Sequence, residues 1–384
     1  MSTRGSITKD ASGGWSFVVD VPTASGRRRQ LRRRGFATKR EAQTALAAVV
    51  ADAHRGSLVV PDRQTLSQFL NDEWLPARRP SLRASTALSY EQLIRNYVEP
   101  TIGGVRLQAI DGAILNRLYA DLLEHGGREV ARRGREGLSP KTVRNLHGVL
   151  SRAFHDAMRW GRLVRNPAQA ADPPRGASPE MKAWSTEELR AFSAAVSEHR
   201  WAGIWALMAT TGLRRGEVLG LRWSDVDLDA ATITVRSTRV RFGTTIATST
   251  PKTARGNRTV ALGPTVVAGL RAWRSTQNAD RLRMGAGWQN AGDLVVTLAD
   301  GAAPNPEAFS DLFRSLAKQA GLPSIRLHDL RHSYATAALA AGVPVKGLSQ
   351  RIGHADVGVT LKVYAHVLPG DDEEAAARAE SLIV

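Results

Sequence analysis

Residues 328–364 read HDLRHSYATAALAAGVPVKGLSQRIGHADVGVTLKVY, and we expect this stretch to organise the fold. Apolar residues recur at helical spacing through its first part. Gly342 and Pro344 then end the helix, because glycine favours a C-terminal cap and proline cannot continue a helix. The pattern predicts a helix, a turn, a second short helix that stops at Gly353, and a third segment over about 359–367.

This predicted scaffold carries four polar side chains that a purely hydrophobic core would not require: His328, Arg331, His354 and Tyr364. His328 and Arg331 lie three positions apart, so they share one face of the first helix. A phenol among imidazoles and a guanidinium suits an anionic electrophile, and a phosphodiester is the first candidate.

The composition indicates a soluble, intracellular protein that binds a polyanion. Its 384 residues suggest two or three domains. The 53 Lys and Arg exceed the 36 Asp and Glu, which gives a net charge of +17. Nucleic acid is therefore the first partner to consider, and an anionic membrane surface is the second. The chain has no cysteine, which excludes disulfides, thiolate zinc sites and cysteine nucleophiles. We expect no signal peptide and no membrane span.

Residues 1–62 are predicted to form a basic module, a three-stranded sheet plus one helix. Residues 15–21 alternate like a strand, residues 27–36 resume as a basic strand or strand pair, and a helix begins after Thr38. The strand arginines are expected to contact DNA, although a solvated basic hairpin would show the same pattern: Arg27, Arg28, Arg29, Arg32, Arg33 and Arg34.

Residues 63–172 are predicted to form a compact bundle of four or five short helices. We expect Ser85 and Thr86 to cap the second helix, Asp111 the third and Ser139 the fourth, because their side chains can accept hydrogen bonds from free backbone N–H groups. Each cap sets where a bundle helix begins.

Residues 173–183 are rich in proline and lack apolar periodicity, so they are predicted to be a linker. The domain after it, residues 184–384, is predicted to be mixed α+β and to end in a short acidic helix. It has strands at 231–235 and 259–262. Between them, residues 251–258 read as a mobile cationic hairpin loop.

Five short boxes follow one another in the third domain. They are TGLRRGE (211–217), PKT (251–253), HDLRH (328–332), IGH (352–354) and YAH (364–366). The domain resembles the catalytic domain of tyrosine recombinases, the phage-integrase family. The resemblance extends to the middle helices as a core-binding domain, and to the N-terminal module as the arm-binding domain of lambda-type integrases.

The resemblance implies six catalytic residues: Arg214, Lys252, His328, Arg331, His354 and Tyr364. Tyr364 is the implied nucleophile, and Glu217 is expected to orient Arg214. His332 matches a common family position without a catalytic role and is predicted to be packed or to support the site.

These residue types suit strand cleavage by transesterification. Two arginines can fork onto the non-bridging phosphate oxygens, and His354 can donate a further hydrogen bond to them. His328 can act in proton transfer, and Lys252 suits the role of general acid for the 5′-oxygen. The product is a covalent 3′-phosphotyrosine, which conserves the energy of the phosphodiester for rejoining. This scheme needs no metal, no ATP and no other cofactor.

The resemblance therefore implies a site-specific recombinase that integrates or excises a phage or mobile element through a Holliday junction. Its implied partners are double-stranded attachment sites of core and arm type, three further copies of the chain in a homotetramer, a directionality factor and a host DNA-bending protein. The implied location is the cytoplasm and nucleoid of a bacterial host. A type IB topoisomerase, a chromosome-dimer resolvase and a non-enzymatic DNA-binding regulator remain alternatives.

Overall fold

The computed structural model describes residues 5–11, 13–22, 28–54, 59–126, 137–176, 182–242, 245–249, 257–290, 292–354, 356–364 and 380–381. The chain divides into two compact units, Met1–Ser178 and Pro179–Val384. This division falls inside the stretch predicted as a linker, while the predicted domain bounds themselves stay predictions. Mainly helical structure with small sheets confirms the predicted fold class.

The first unit begins with the predicted three-stranded sheet and helix. The elements are β1 (Gly5–Lys9), β2 (Trp15–Pro22), β3 (Arg28–Phe36) and α1 (Lys39–His54). The strands are antiparallel in the order β1-β2-β3. Thr38 caps α1, because its Oγ1 accepts a hydrogen bond from the Glu41 backbone N at 3.2 Å. Phe17, Val19 and Leu31 pack with Val49 of α1 as a small separate core.

The rest of the first unit is helical. Its helices are α2 (Leu66–Gln68), α3 (Leu75–Arg78), α4 (Ala84–Leu93), α5 (Gly112–His125) and α6 (Pro140–Arg159). A π-helical stretch, Phe69–Trp74, joins α2 to α3, and another, Ile94–Val98, extends α4. Asp111 and Ser139 cap α5 and α6 as predicted.

The expected cap at Ser85 and Thr86 is wrong. Helix α4 begins at Ala84, and its N-cap is Arg83, which makes no side-chain capping bond. Leu82 precedes it in extended conformation after a 3₁₀ turn, so the chain turns into the helix earlier than the hydroxyl residues suggest. Ser85 and Thr86 therefore lie inside the first helical turn.

The second unit holds the larger core. Its helices are α7 (Thr186–Ala195), α8 (Ala202–Thr211), α9 (Arg215–Gly220), α10 (Pro264–Met284), α11 (Pro306–Gln319), α12 (Leu327–Ala340), α13 (Val345–Ile352) and α14 (Val357–Tyr364). Buried aromatic rings from three elements make edge-on, stacked and tilted contacts with one another, including Phe192, Trp205, Phe309 and Phe313. This core supports α8 and α12, whose ends carry the candidate site.

Two small sheets complete the second unit. They are formed by β4 (Val226–Asp227), β5 (Thr232–Val235), β6 (Thr238–Phe242), β7 (Thr245–Ser249) and β8 (Arg258–Ala261), in the orders β4-β5-β8 and β6-β7. The two predicted strands pair with each other as β5 and β8. The prediction placed Arg258 in a loop and missed the β6–β7 hairpin. Arg258 instead begins β8, because it pairs with Val235.

The predicted succession of three helices is confirmed in α12, α13 and α14. Gly342 follows α12 with φ +80°, and Gly353 ends α13 with φ +70°, a conformation that favours glycine. The third helix begins at Val357, two residues earlier than predicted. In the parts of the chain that the structure describes, every helix is too short or too polar to traverse a lipid bilayer.

Candidate active site

Arg331 lies at the centre of the polar cluster. It projects from α12, is only 3% exposed, and donates from Nη1 to the Gly212 carbonyl at 2.7 Å. Gly212 ends α8 with φ +62°, and a Cβ there would lie 2.7 Å from the Tyr334 ring, so only glycine fits. The buried Nη2 of Arg331 has no hydrogen-bond partner among the described residues. Such a donor is costly unless an acceptor arrives from outside.

Burial lowers the pKa of Arg331 to about 9, and the charge of Arg214 acts in the same direction. The guanidinium therefore keeps its proton at neutral pH. A buried cation with one donor unused in the described structure is well suited to an incoming anion.

The buried carboxylate of Glu217 holds Arg214 in the same cluster as Arg331. Arg214 is the N-cap of α9; its backbone N and Nη1 donate to the two oxygens of Glu217 at 2.9 and 2.8 Å. Its Nη2 donates to the Gly353 carbonyl at 3.1 Å. The predicted orienting role of Glu217 thus has a definite geometry. Arg214 precedes α9, so the two residues form a capping pair and do not share a helical face.

Arg258 is a partner of Glu217 that the sequence analysis did not single out. Its Nη1 and Nη2 donate to Glu217 at 3.2 and 2.9 Å, and its Nε donates to the Arg351 carbonyl at 2.7 Å. Burial alone would raise the pKa of Glu217, but the bonds and charges of Arg258 and Arg214 lower it. Arg258 therefore joins β8 to α9 and to the end of α13.

Tyr364 ends α14 and is fully buried. Its Oη lies 2.6 Å from Nδ1 of His332, which is its one hydrogen-bond partner among the described residues. Burial raises the pKa of the phenol to about 12, although the charge of Arg331 opposes this shift. The phenol is therefore protonated at neutral pH.

The three imidazoles of the cluster are neutral at pH 7. Burial lowers the pKa of His354 to about 4, and Arg331 and Arg214 contribute further. Its Nδ1 lies 2.8 Å from Oγ1 of Thr360, a buried α14 residue. Burial is also the largest cause that lowers the pKa of His328 to about 4, followed by the charges of His332, Arg331 and Arg214.

The structure brings together five of the six residues implied as catalytic. They lie at the N-cap of α9, on α12, on α14 and in the turn after α13: Arg214, His328, Arg331, His354 and Tyr364. Lys252, His366 and the acidic C-terminal segment apart from residues 380–381 lie outside the described residues. In the described ranges, no group of three or more His, Asp or Glu side chains could hold a metal ion.

Comparison with protein families covers all three predicted regions. Residues 182–370 match the phage integrase family, residues 6–52 an arm DNA-binding domain, and residues 65–123 the N-terminal SAM-like domain of phage integrases. The order of the three matches follows the order predicted from the sequence.

The chain belongs to the phage integrase family of tyrosine recombinases. This recombinase is 26% identical over 367 residues to a tyrosine recombinase XerC-like protein of Caldanaerobacter subterraneus subsp. tengcongensis, and the match covers 90% of each chain. It is 29% identical over 323 residues to the integrase of Mycobacterium phage FRAT1, with 81% of this chain and 94% of that protein covered. It is accordingly a site-specific recombination enzyme that acts on DNA.

Solved structures of integrases share the fold. The Tn1549 transposon integrase in complex with transposon right end DNA superposes with a TM-score of 0.66 at 21% identity, over 83% of this recombinase and 100% of that chain. A lambda integrase dimer bound to a COC′ core site gives a TM-score of 0.54 at 14% identity, over 93% and 94%. At these identities the likeness concerns the fold.

The recombinase exposes basic side chains on its N-terminal sheet. Arg32, Arg33 and Arg34 of β3 are all exposed. Arg32 pairs with Val18, on the sheet face opposite the residues that pack on α1. Of the other predicted DNA contacts, Arg27 lies outside the described residues, and Arg28 and Arg29 are described only as backbone of β3.

A polar cavity of about 790 Å³ in the second unit is separate from this cluster. Its walls come from β4, β5 and α10 and include two ion pairs, Arg271 with Asp229 at 2.8 Å and Arg236 with Asp225 at 3.1 Å. None of the catalytic candidates lines it, so we do not assign the chemistry there.

Proposed function

We propose that Tyr364 attacks the scissile phosphate and forms a covalent 3′-phosphotyrosine. The observation that carries this proposal is the buried Arg331, whose Nη2 has no partner in the described structure and whose field reaches the Tyr364 phenol. A phosphate oxygen at that nitrogen would complete the hydrogen bonding of Arg331. It would also bring a phosphorus atom to the tyrosine.

Arg214 and His354 complete the proposed phosphate site. The Arg214 side chain is 39% exposed, so it is accessible to a DNA backbone, and Glu217 fixes its direction. The neutral His354 can donate one hydrogen bond to a phosphate oxygen without adding charge. We assign the general acid for the 5′-oxygen to Lys252 and a further proton-transfer role to His328.

At the level of the organism, we propose integration and excision of a phage or other mobile element through a Holliday junction. The N-terminal module would bind arm sites through Arg27, Arg28, Arg29, Arg32, Arg33 and Arg34, and the second and third regions would bind core sites. A tetramer on the synapse, a directionality factor, a host DNA-bending protein and association with the bacterial nucleoid belong to the same proposal. The arm-domain match and the phage relatives support it.

Trapping the covalent intermediate tests the chemistry. A nicked suicide substrate that carries the attachment site loses its short 5′-product, so the covalent complex accumulates. The unmodified recombinase should give this complex, and Tyr364→Phe should bind DNA with unchanged affinity and give none. Tyr119→Phe is the matched control, because Tyr119 is also buried and also bonded to a histidine. A covalent complex with Tyr364→Phe would refute the assignment.

A further inference from the structure

The hydrogen bond between Tyr364 and His332 concerns a residue without a role in the scheme above. His332 Nδ1 lies 2.6 Å from the phenol oxygen, within the normal range for a strong O–H···N hydrogen bond. His328, in contrast, makes no hydrogen bond to Tyr364 in the described structure. Its ring packs edge-on against His332, with centroids 5.2 Å apart. The imidazole that touches the nucleophile is therefore His332.

The direction of this hydrogen bond follows from the environment of the two groups. The phenol is buried and protonated, and Nδ1 is its one partner in the described ranges, so the hydroxyl must donate to avoid a buried unpaired donor. His332 then accepts at Nδ1 and carries its own proton on Nε2. Burial lowers the pKa of His332, which keeps the ring neutral and Nδ1 free to accept.

We propose that His332 is the general base that takes the phenolic proton of Tyr364 as the strand is cut. This inference rests on the proposed role of Tyr364 as nucleophile. The Oη–P bond forms while the P–O5′ bond breaks. The phenolic proton passes to His332 Nδ1, and the leaving 5′-oxygen takes a proton from the general acid, which we assign to Lys252. In rejoining, the 5′-hydroxyl attacks phosphorus and gives its proton to the deprotonated general acid, the Oη–P bond breaks, and His332 returns its proton to the departing phenol.

The surroundings of Tyr364 and His332 favour transfer of the phenolic proton only during the reaction. Before DNA binds, burial holds the phenol proton firmly and disfavours a charged imidazole, so the proton stays on Tyr364. As Oη bonds to phosphorus its affinity for the proton falls, and Nδ1 is already in place. The nearby Asp329 carboxylate favours the imidazolium that results, whereas Arg331 and Arg326 oppose it. This arrangement of Tyr364 and His332 would prevent a reactive phenolate from forming before the target DNA is bound.

The test uses His332→Asn in the full-length recombinase. An asparagine oxygen can stand near the position of Nδ1 and accept the hydrogen bond, but it cannot take up the proton. We expect single-turnover cleavage of the suicide substrate to slow by about 10²-fold or more, within the range for loss of a general base. His147→Asn is the matched control, since His147 Nδ1 lies 3.0 Å from the Tyr119 hydroxyl oxygen in the first unit. It should leave the cleavage rate unchanged.

Rescue separates a base from a packing residue. Replacement of Tyr364 by 3,5-difluorotyrosine gives a more acidic phenol that needs less help from a base. It should raise the rate of His332→Asn by at least tenfold more than it raises the rate of the unmodified enzyme. A substrate with a 5′-phosphorothiolate, whose sulfur leaves without a proton, should rescue Lys252→Ala and leave the His332→Asn defect in place.

Each outcome decides the proposal. A His332→Asn rate within twofold of the unmodified enzyme would overturn it. A slow variant that fluorotyrosine does not rescue would also overturn it, because His332 would then act only by packing. Thermal unfolding of both asparagine variants shows whether the fold is retained at the assay temperature. A covalent complex with Tyr364→Phe would instead remove the proposed function, so the two failures are distinguishable.

Discussion

The described part of the recombinase contains two buried tyrosine–histidine pairs in different settings. In the first unit, Tyr119 Oη lies 3.0 Å from His147 Nδ1, and the rings pack edge-to-face. In the second unit, Tyr364 Oη lies 2.6 Å from His332 Nδ1, and the rings are tilted. Both tyrosines are almost fully buried. The local contact is therefore similar, and any functional difference must come from what surrounds each pair.

The surroundings differ in charge. Burial alone raises the pKa of Tyr119 and lowers the pKa of His147. At Tyr364 the charge of Arg331 opposes the effect of burial, and His332 responds to Asp329, Arg331 and Arg326. The first pair fits a structural hydrogen bond inside a helical bundle. The second pair, Tyr364 and His332, lies near Arg331, whose Nη2 has no hydrogen-bond partner in the described structure.

Removal of the Arg331 cation should have the largest effect. Arg331→Met should lower single-turnover cleavage by about 10²- to 10³-fold, because a preorganised donor for the developing phosphate charge is lost. Its free energy of unfolding should stay the same or rise, since burying an incompletely paired charge is costly. Chemical denaturation and the suicide-substrate assay measure the two effects.

Arg78→Met is the matched arginine control. Arg78 donates to the buried Asp156 at 2.6 and 2.7 Å in the first unit. Its loss should lower the free energy of unfolding by about 3 kcal/mol while cleavage by folded protein at saturating DNA is retained. If the Arg331 variant instead lost stability and kept its cleavage rate, Arg331 would be a structural residue.

The next largest effect concerns the carboxylate that holds the second arginine. Glu217→Gln keeps the shape of the side chain but removes the charge between Arg214 and Arg258. We expect cleavage to fall by about 10- to 100-fold because Arg214 loses its orientation. The unfolding free energy should fall by about 2 kcal/mol. Parallel rate and denaturation measurements give both numbers.

Asp280 offers a matched test in the same unit. It is a buried carboxylate that also lies between two arginines, Arg200 and Arg283, both at 2.7 Å. Asp280→Asn should lower stability by a similar amount and leave the rate of the folded enzyme unchanged. Equal rate losses in the two variants would mean that Glu217 acts only through stability.

Acid should weaken the second unit through its histidines. Burial first, then the charges of Arg331 and Arg214, holds the pKa of His354 near 4, below the unfolded value of about 6.5. The folded state therefore resists protonation. The stability is fully present above pH 6.5 and is lost as pH falls from 6.5 towards 4. Because the ring is partly exposed, we expect on the order of 1 kcal/mol from this residue.

Denaturant unfolding at pH 7.5 and pH 4.5 measures this loss, and His354→Gln should reduce the difference between the two values. Burial also lowers the pKa of His147 in the first unit, so His147→Asn shows how much another buried histidine contributes to the same pH difference. A stability that does not change over this range would contradict the assigned pKa directions.

The smallest expected effect is at the structural pair. Tyr119→Phe removes one partly buried hydrogen bond and keeps the ring packing, so the free energy of unfolding should fall by about 1 kcal/mol. The cleavage rate of the folded enzyme should not change. Thermal unfolding and the suicide-substrate assay test both statements, and a clear rate loss would mean that the two pairs do not differ in kind.

Local patterns predicted much of the helical structure. Asp111 and Ser139 cap helices where their hydroxyl or carboxyl groups can reach free N–H groups, and glycines end α12 and α13 as expected. The missed elements have weak local signals. The β6–β7 hairpin has short, polar strands, and the π-helical stretch over Phe69–Trp74 differs from an α-helix by hydrogen-bond register alone. Both segments are too short for periodicity alone to establish them.

The candidate site could be predicted where residues are neighbours in sequence. Arg214 and Glu217 lie three residues apart, so their contact could be expected from spacing, although the capping geometry depends on where α9 begins. Arg258 reaches Glu217 across 41 residues, and no local pattern encodes such a pair. His332 follows Arg331 directly, so on α12 it points about 100° away from it. Its contact with Tyr364 depends on how α12 and α14 pack, which the sequence motif does not reveal.

The position of the DNA-linked tyrosine in the unmodified enzyme tests most directly whether Tyr364 is the nucleophile. The chain has five tyrosines. After trapping with the suicide substrate, protease digestion and mass spectrometry can identify the residue that carries the nucleotide adduct. We expect a phosphodiester on Tyr364 alone. An adduct on Tyr119, on any other tyrosine, or on a residue of another type would contradict it.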